Sequence, residues 1–252
     1  MKRIVFCVSF CWSLLLAVQV IGQVNPNEYQ EEPKVLMKNE WTLGVQLHSA
    51  GWGVGYRRGQ NITASKKRTI EFDLVNIKHP KEIRTVNPYF DNAKPFFYGK
   101  LNSVTVLRSG IGRQKVLYSK AEKSGVEVRL LYSGGFSLAI AKPVYLYILY
   151  PTAFRGEYEI VIEKYDPDLH FVDNIYGRAP FNSGFDGIKP YPGAYAKAGL
   201  SFEYGSNTTS IKCLEAGFCL DAYAKEIPIM AYSDNSAYYL NIYLNLVFGR
   251  RW

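Results

Sequence analysis

The sequence predicts an all-β protein, a transmembrane antiparallel β-barrel of eight strands in up-and-down order. Three observations carry that expectation. The N-terminus has the layout of an export signal, segments of about ten residues alternate apolar and polar side chains, and the last of them runs almost to the C-terminus. A chain of 252 residues accommodates one domain, or two small ones.

Lys2 and Arg3 open the chain with positive charge, Ile4 to Val18 is an apolar run, and Val20 and Gly22 stand at −3 and −1 of a cut before Gln23. The run falls short of the roughly 20 residues a spanning helix needs. The chain therefore divides into a signal peptide (1–22), a short periplasmic N-terminal segment (23–40) and a barrel (41–252) with a long outer loop at 150–190. Cys7 and Cys11 leave with the signal. Cys213 and Cys219 lie in one strand-like segment, about 20 Å apart at strand rise, beyond the roughly 7 Å a disulfide tolerates. No metal-ligand spacing is present and no cofactor is expected. Removing Lys2 and Arg3 takes the net charge from +8 to +6. With export and no basic helix, that balance points to lipid phosphates rather than to nucleic acid.

The last strand alternates most cleanly. Tyr238, Leu240, Ile242, Leu244, Leu246 and Phe248 share one face; Tyr239, Asn241, Tyr243 and Asn245 share the other. Leu214, Ala216, Phe218, Leu220 and Ala222 oppose Cys213, Glu215, Gly217, Cys219 and Asp221. Before them, Ala194, Ala196, Ala198, Leu200, Phe202 and Tyr204 oppose Tyr195, Lys197, Gly199, Ser201 and Glu203. Near the start, Trp41, Leu43, Val45 and Leu47 oppose Thr42, Gly44, Gln46 and His48, and Trp52, Val54 and Tyr56 oppose glycines and Arg57. Ile70, Phe72 and Leu74 oppose Glu71 and Asp73. Gly99 to Ser109 alternates weakly and is assigned as a strand from its context.

The stretch Val126 to Tyr150 sets the count. Its apolar residues keep even parity across Gly134–Gly135, where a two-residue hairpin would reverse it, so it is read as one long strand bent at the glycines. Eight strands follow, near 41–48, 51–59, 66–78, 98–110, 125–149, 191–205, 209–222 and 236–249. The long joints 79–97, 150–190 and 223–235 then fall outside, and 60–65, 111–124 and 206–208 inside, with both termini periplasmic.

In lipid every backbone polar group must pair within the protein, which a closed barrel achieves. Such a barrel turns apolar residues outward and polar ones inward. The inward faces then carry Arg57, Lys100, Arg108, Arg129 and Lys197 against Glu71, Asp73, Glu127, Glu203, Glu215 and Asp221. An eight-stranded interior is just filled by side chains, so these charges are expected to pair and plug it, leaving no pore. A basic residue at inward position 245 is expected to be milder than one at outward position 244. The competing architecture is a soluble, secreted lipocalin-like barrel with the faces exchanged. Aromatics at strand ends (Trp41, Trp52, Tyr150, Tyr191, Tyr238) favour the membrane.

Leu244, Leu246, Phe248 and the closing Trp252 resemble the C-terminal insertion signal of outer-membrane barrels; Arg250 departs from it, where an apolar residue is usual. With the cut before Gln23 and the frequent Tyr and Asn, the chain resembles small barrels of the Bacteroidota, PorT-like or OmpX-like in the loose sense. The resemblance implies a fold and an outer-membrane location in contact with lipid and lipopolysaccharide, not a task.

No catalytic residue is assigned. His48 and Ser49 are neighbours in a strand and point to opposite faces, while His79 and His170 lie in loops. The 150–190 loop is too long for a simple connection, and its aromatics Phe154, Phe171, Tyr176, Phe181 and Phe185 suit contact with a protein partner or glycan. The expected role is structural or interactive, as in a subunit of a secretion or assembly complex; the alternative is a lipid A deacylase or acyltransferase.

Overall fold

A computed structural model describes residues 37–90, 92–120, 125–152, 157–205, 207 and 209–252. The proposed signal peptide and cut site, most of the 23–40 segment and Phe154 lie outside these residues. Eight strands close into a barrel: β1 (Asn39–His48), β2 (Gly51–Asn61), β3 (Lys66–Ile77), β4 (Asn102–Tyr118), β5 (Glu127–Pro143), β6 (Lys189–Glu203), β7 (Ser210–Tyr223) and β8 (Tyr238–Arg251). Each strand pairs antiparallel with its sequence neighbours, and β1 closes the ring on β8. At that seam Asn39 and Trp252 exchange backbone hydrogen bonds at 3.0 Å.

The faces are those of a membrane barrel. Leu43, Val45, Leu47, Phe72, Ile111, Phe136, Phe218, Ile242 and Leu244 project outward and are exposed, whereas Gln46, Arg57, Glu71, Arg108, Lys197, Glu215 and Asp221 are buried inside. An apolar belt around the whole circumference far exceeds the patch a soluble monomer shows, and it matches a wall that meets hydrocarbon. The lipocalin-like arrangement requires the opposite faces.

Two strand assignments change at their ends. β4 runs 102–118 instead of 98–110, which shortens the following connection. The alternation is weak there because Val104 and Val106, though apolar, face inward and are buried. The 125–149 segment is one barrel strand as far as Pro143 and then leaves the barrel. The Val144 amide donates to Leu101 instead, and Tyr145–Pro151 joins a separate sheet. Because the split lies beyond the barrel, the eight-strand parity holds. Gly134 and Gly135 stay in register with Ile111 and Gly110 on one side and with Ala196 and Tyr195 on the other.

The glycines serve the interior. Gly110 faces Gly135 across β4–β5, and a Cβ on Gly110 would run into the Tyr195 hydroxyl. Gly199 likewise faces Gly217 across β6–β7, where the Tyr243 hydroxyl would lie 2.7 Å from a Cβ on Gly199. Each glycine pair makes room for a tyrosine crossing a narrow lumen.

Candidate functional site

The lumen is built in layers. At the end where β1 begins and β8 ends, the Arg129 guanidinium bridges Glu127 at 2.6 Å and Glu203 at 2.8 Å. Arg251 joins Glu203 to Glu40, and Lys67 closes on Glu40 at 2.5 Å. In the middle, Arg57 lays its fork on both Glu215 oxygens, at 2.6 and 3.2 Å, with its Nε 3.5 Å from Glu71. Glu71 also accepts from the Ser133 and Tyr195 hydroxyls, while Lys197 donates to Asp73 at 3.0 Å. One layer further, Arg108 makes two hydrogen bonds to Asp221, at 2.8 and 2.6 Å, and Ser137 donates to the same carboxylate. Charges withdrawn from water need this density of partners, because an unpaired one is costly.

Above the charges the lumen becomes apolar. Ile77, Val104, Val106, Ala139, Ala141 and Tyr223 line the wall, and Ile227, Ile229 and Met230 from the 224–237 connection fill the space between them. Asn235 fixes that connection. Its carbonyl oxygen accepts from the Ile229 and Met230 amides and its side-chain NH2 donates to Met230 O and Ser233 O. The rim is tied down as well, since the Leu101 amide donates to Ile229 O at 2.9 Å and the Asn102 side chain to Pro228 O at 2.7 Å. Charge pairs below and an apolar cap above leave the barrel filled.

Of the charged residues read as lumenal, Lys100 is elsewhere. It precedes β4 in the loop region and pairs with Glu82 at 2.7 Å; the weak alternation around 99–109 concealed where the strand begins. Three members of the network escaped the sequence reading. Glu40 and Arg251 lie just beyond the strand ends inferred from alternation, and Lys67 is the inward residue of a basic triplet. Asn245 donates to Glu215 at 3.0 Å and fills the space against Gly44. The alternation predicts a mild effect for arginine there; with Glu215 held by Arg57 and the space against Gly44 filled, Asn245→Arg is expected to destabilise the barrel instead. Leu244, Leu246 and Phe248 face outward, as does Arg250, and Trp252 is exposed beside the seam.

The connections at the loop end form a small body. Ile175–Arg178, Tyr145–Pro151 and Tyr158–Lys164 make a three-stranded sheet in that order. One face covers a core of Phe96, Leu146, Ile148, Tyr165 and Ile175. Burial there pushes the Tyr165 phenol up to about 12. Asn87, itself buried, staples the 78–101 connection to this sheet by donating to the carbonyls of Val172, Asp173 and Ile175. The aromatics fall into separate groups. Phe181 and Phe185 meet edge to face at 5.6 Å, with the Lys142 ammonium 4.1 and 4.7 Å from their ring centres. Tyr176 packs on Phe90, which also meets Tyr158, beside a shallow cavity of about 430 Å³ lined by Tyr89, Phe90, Tyr158 and Asp173. Phe171 projects alone and is exposed.

The Nδ1 atoms of His48, His79 and His170 each accept a backbone hydrogen bond. His170 is buried; its Nδ1 accepts from the Asp166 amide at 2.9 Å and its Nε2 stands 3.3 Å from Glu163. His48 Nδ1 accepts from the Ala50 amide while the Ser49 hydroxyl donates to Asn241, so the two do not pair. Cys213 and Cys219 are free and buried in the lumen, and among the described residues no group of acidic, histidine or cysteine side chains is placed to hold a metal.

No protein-family model matches the sequence, and no curated protein matches it. Among solved structures, Neisserial surface protein A is similar at 9% identity and a TM-score of 0.41, covering 85% of this chain and 96% of that one. The attachment invasion locus protein Ail of Yersinia pestis is similar at 9% identity and 0.37, covering 85% and 97%. The N-terminal β-barrel domain of Pseudomonas aeruginosa OprF gives 8% identity and 0.36, covering 84% and 97%. Likeness this distant decides nothing about this chain.

Proposed function

We propose that this chain is an integral outer-membrane protein whose plugged barrel anchors an interaction domain built from its loop-end connections. On this reading the mature chain begins at Gln23, residues 23–40 and the short joints face the periplasm, and the three long connections face outward. The observation that carries it is the contrast between the two ends. The lumen is filled by paired charge and an apolar cap, so transport has no route, while 144–188 forms a sheet whose core takes in Phe96 from the 78–101 connection. Binding residues fall disproportionately on loops held by a rigid scaffold. The exposed Phe171, Phe181 and Phe185 are the contact residues we assign, for a protein partner in an outer-membrane complex or for glycan. The resemblance to PorT-like barrels of the Bacteroidota extends this to a secretion or assembly complex.

Replacing residues 145–187 with a short Gly/Ser linker tests the division of labour. No described lumen ion pair uses these residues, and loop length alters closure entropy only logarithmically. Outer-membrane abundance and heat-modifiable gel mobility are expected to stay within twofold of the parent, while proteins co-purifying from mild detergent disappear. A shortened chain that inserts and keeps its partners moves the contact to the periplasmic end or the lipid-facing wall.

A further inference from the structure

The wall of the barrel carries a feature that neither the plug nor the loop-end domain uses. Toward the end where β1 begins and β8 ends, the outward positions of β3 run Phe72, Ile70, Arg68, Lys66, and those of β4 run Ser109, Ile111, Arg113, Lys115. On β3 and β4 the apolar run breaks after the cross-strand pair Ile70–Ile111, 47% and 56% exposed, while exposed Tyr132 and Leu130 of β5 lie beside the cations that follow. The next outward pair is Arg68–Arg113 and the one after it Lys66–Lys115. On the neighbouring strand Arg58 pairs with Ile70 on one side and with Trp41 on the other, and Arg250 flanks Trp41 from β8.

Like charges set directly opposite one another destabilise a sheet, and here two such pairs follow in succession. These cations are exposed, and among the described residues none forms an ion pair. The carboxylates at this end, Glu40, Glu127 and Glu203, point into the lumen and are held by Lys67, Arg129 and Arg251. Among the described residues no carboxylate faces these cations, and an apolar strip adjoins them on the same wall.

We propose that this end of β2–β4 binds the phosphate headgroup of an anionic glycerophospholipid in the leaflet on that side. This rests on the membrane reading above. Successive outward pairs are about 7 Å apart along a strand, so the first cations stand one step beyond Ile70 and Ile111. A lipid lying on the wall places its acyl chain against Ile70, Phe72 and Ile111 and its phosphate between the Arg68 and Arg113 forks, with Lys66 and Lys115 beneath. Guanidinium suits phosphate through paired N–H donors. A soluble acidic partner has no use for the apolar strip that continues the site. Arg250 interrupts the apolar run of the last strand because it belongs to the same cationic belt.

The test uses the full-length mature protein, folded into vesicles of phosphatidylcholine, phosphatidylethanolamine and a minority of phosphatidylglycerol, then released into the gas phase for native mass spectrometry. Retained phosphatidylglycerol is expected to exceed its share of the bilayer by about tenfold, and to fall to that share in K66Q/R68Q/R113Q/K115Q. Heat-modifiable mobility reports whether the variant is folded; the pairs R68Q/R113Q and K66Q/K115Q, each expected to lose part of the enrichment, serve if the quadruple variant is not. Unchanged retention in a folded variant overturns the proposal, as does retention of phosphatidylcholine in proportion to its abundance with no anionic excess. Preference for lipopolysaccharide over phosphatidylglycerol when both are offered also overturns it, since that puts the cations in the other leaflet. A parent that fails to enter vesicles at all refutes the membrane reading instead.

Discussion

Leu244→Arg is expected to remove the protein from the outer membrane almost completely. Leu244 lies midway along β8, exposed outward between Leu47 of β1 and Ala216 of β7, so an arginine there meets hydrocarbon near the mid-plane. That placement costs about 2–4 kcal/mol in a barrel, a large share of the few kcal/mol by which folded proteins usually exceed their unfolded states. The folding equilibrium constant, read from urea titration of protein refolded into vesicles, should fall by about 30-fold or more, and the heat-modifiable band in outer-membrane preparations should fall with it. Leu244→Ala keeps the outward face apolar and should remain within about twofold of the parent. Equal damage from both substitutions would show that position 244 is packed against protein and not against lipid.

Asp221→Ala should be as damaging from the opposite side of the same wall. Arg108 and Asp221 have side chains 1% and 0% exposed and share two hydrogen bonds. Removing the carboxylate leaves a guanidinium buried without its partner, which costs about 3–5 kcal/mol. Replacing both residues, as in Arg108→Met with Asp221→Leu, removes the orphaned charge and recovers most of that loss, since a buried pair and an apolar pair of similar volume are often comparable. The urea midpoint of protein refolded into vesicles measures both. The double variant should lie well above the single one. A single variant as stable as the parent would mean that water reaches Arg108 and that the lumen is open.

Much of the barrel is legible in the sequence because lipid imposes a strict rule on it. Outward residues must be apolar, inward ones have charges to bring together, and the period of two writes that rule along each strand. The eight strands and their faces follow from it. The rule lapses at the loop end, where the interior itself turns apolar. Val104, Val106, Ala139 and Ala141 sit under the cap, so β4 loses its contrast and its start is misplaced, taking Lys100 with it. The cap is invisible in sequence because Ile227, Ile229 and Met230 belong to a connection with no periodicity, and only the fold places them in the barrel mouth. Glu40 and Arg251 needed the closing seam, since they meet only when β1 pairs with β8. Among the loop aromatics, composition signals exposure but not grouping; Lys142, on a barrel strand, is what Phe181 and Phe185 gather around.

The central claim is that the even positions of β8 touch hydrocarbon while the odd positions enter a filled lumen. Spin labels placed singly at 238–248, in a chain whose Cys213 and Cys219 are replaced by alanine, test it directly in vesicles. Collision with dissolved oxygen, which concentrates in lipid, should peak at 240, 242, 244 and 246 and fall at 241, 243 and 245, with a water-soluble nickel complex excluded from both sets. Oxygen access with the opposite parity would mean the faces are exchanged, and nickel access at the odd positions would mean that the lumen conducts water; either result contradicts a plugged barrel facing lipid.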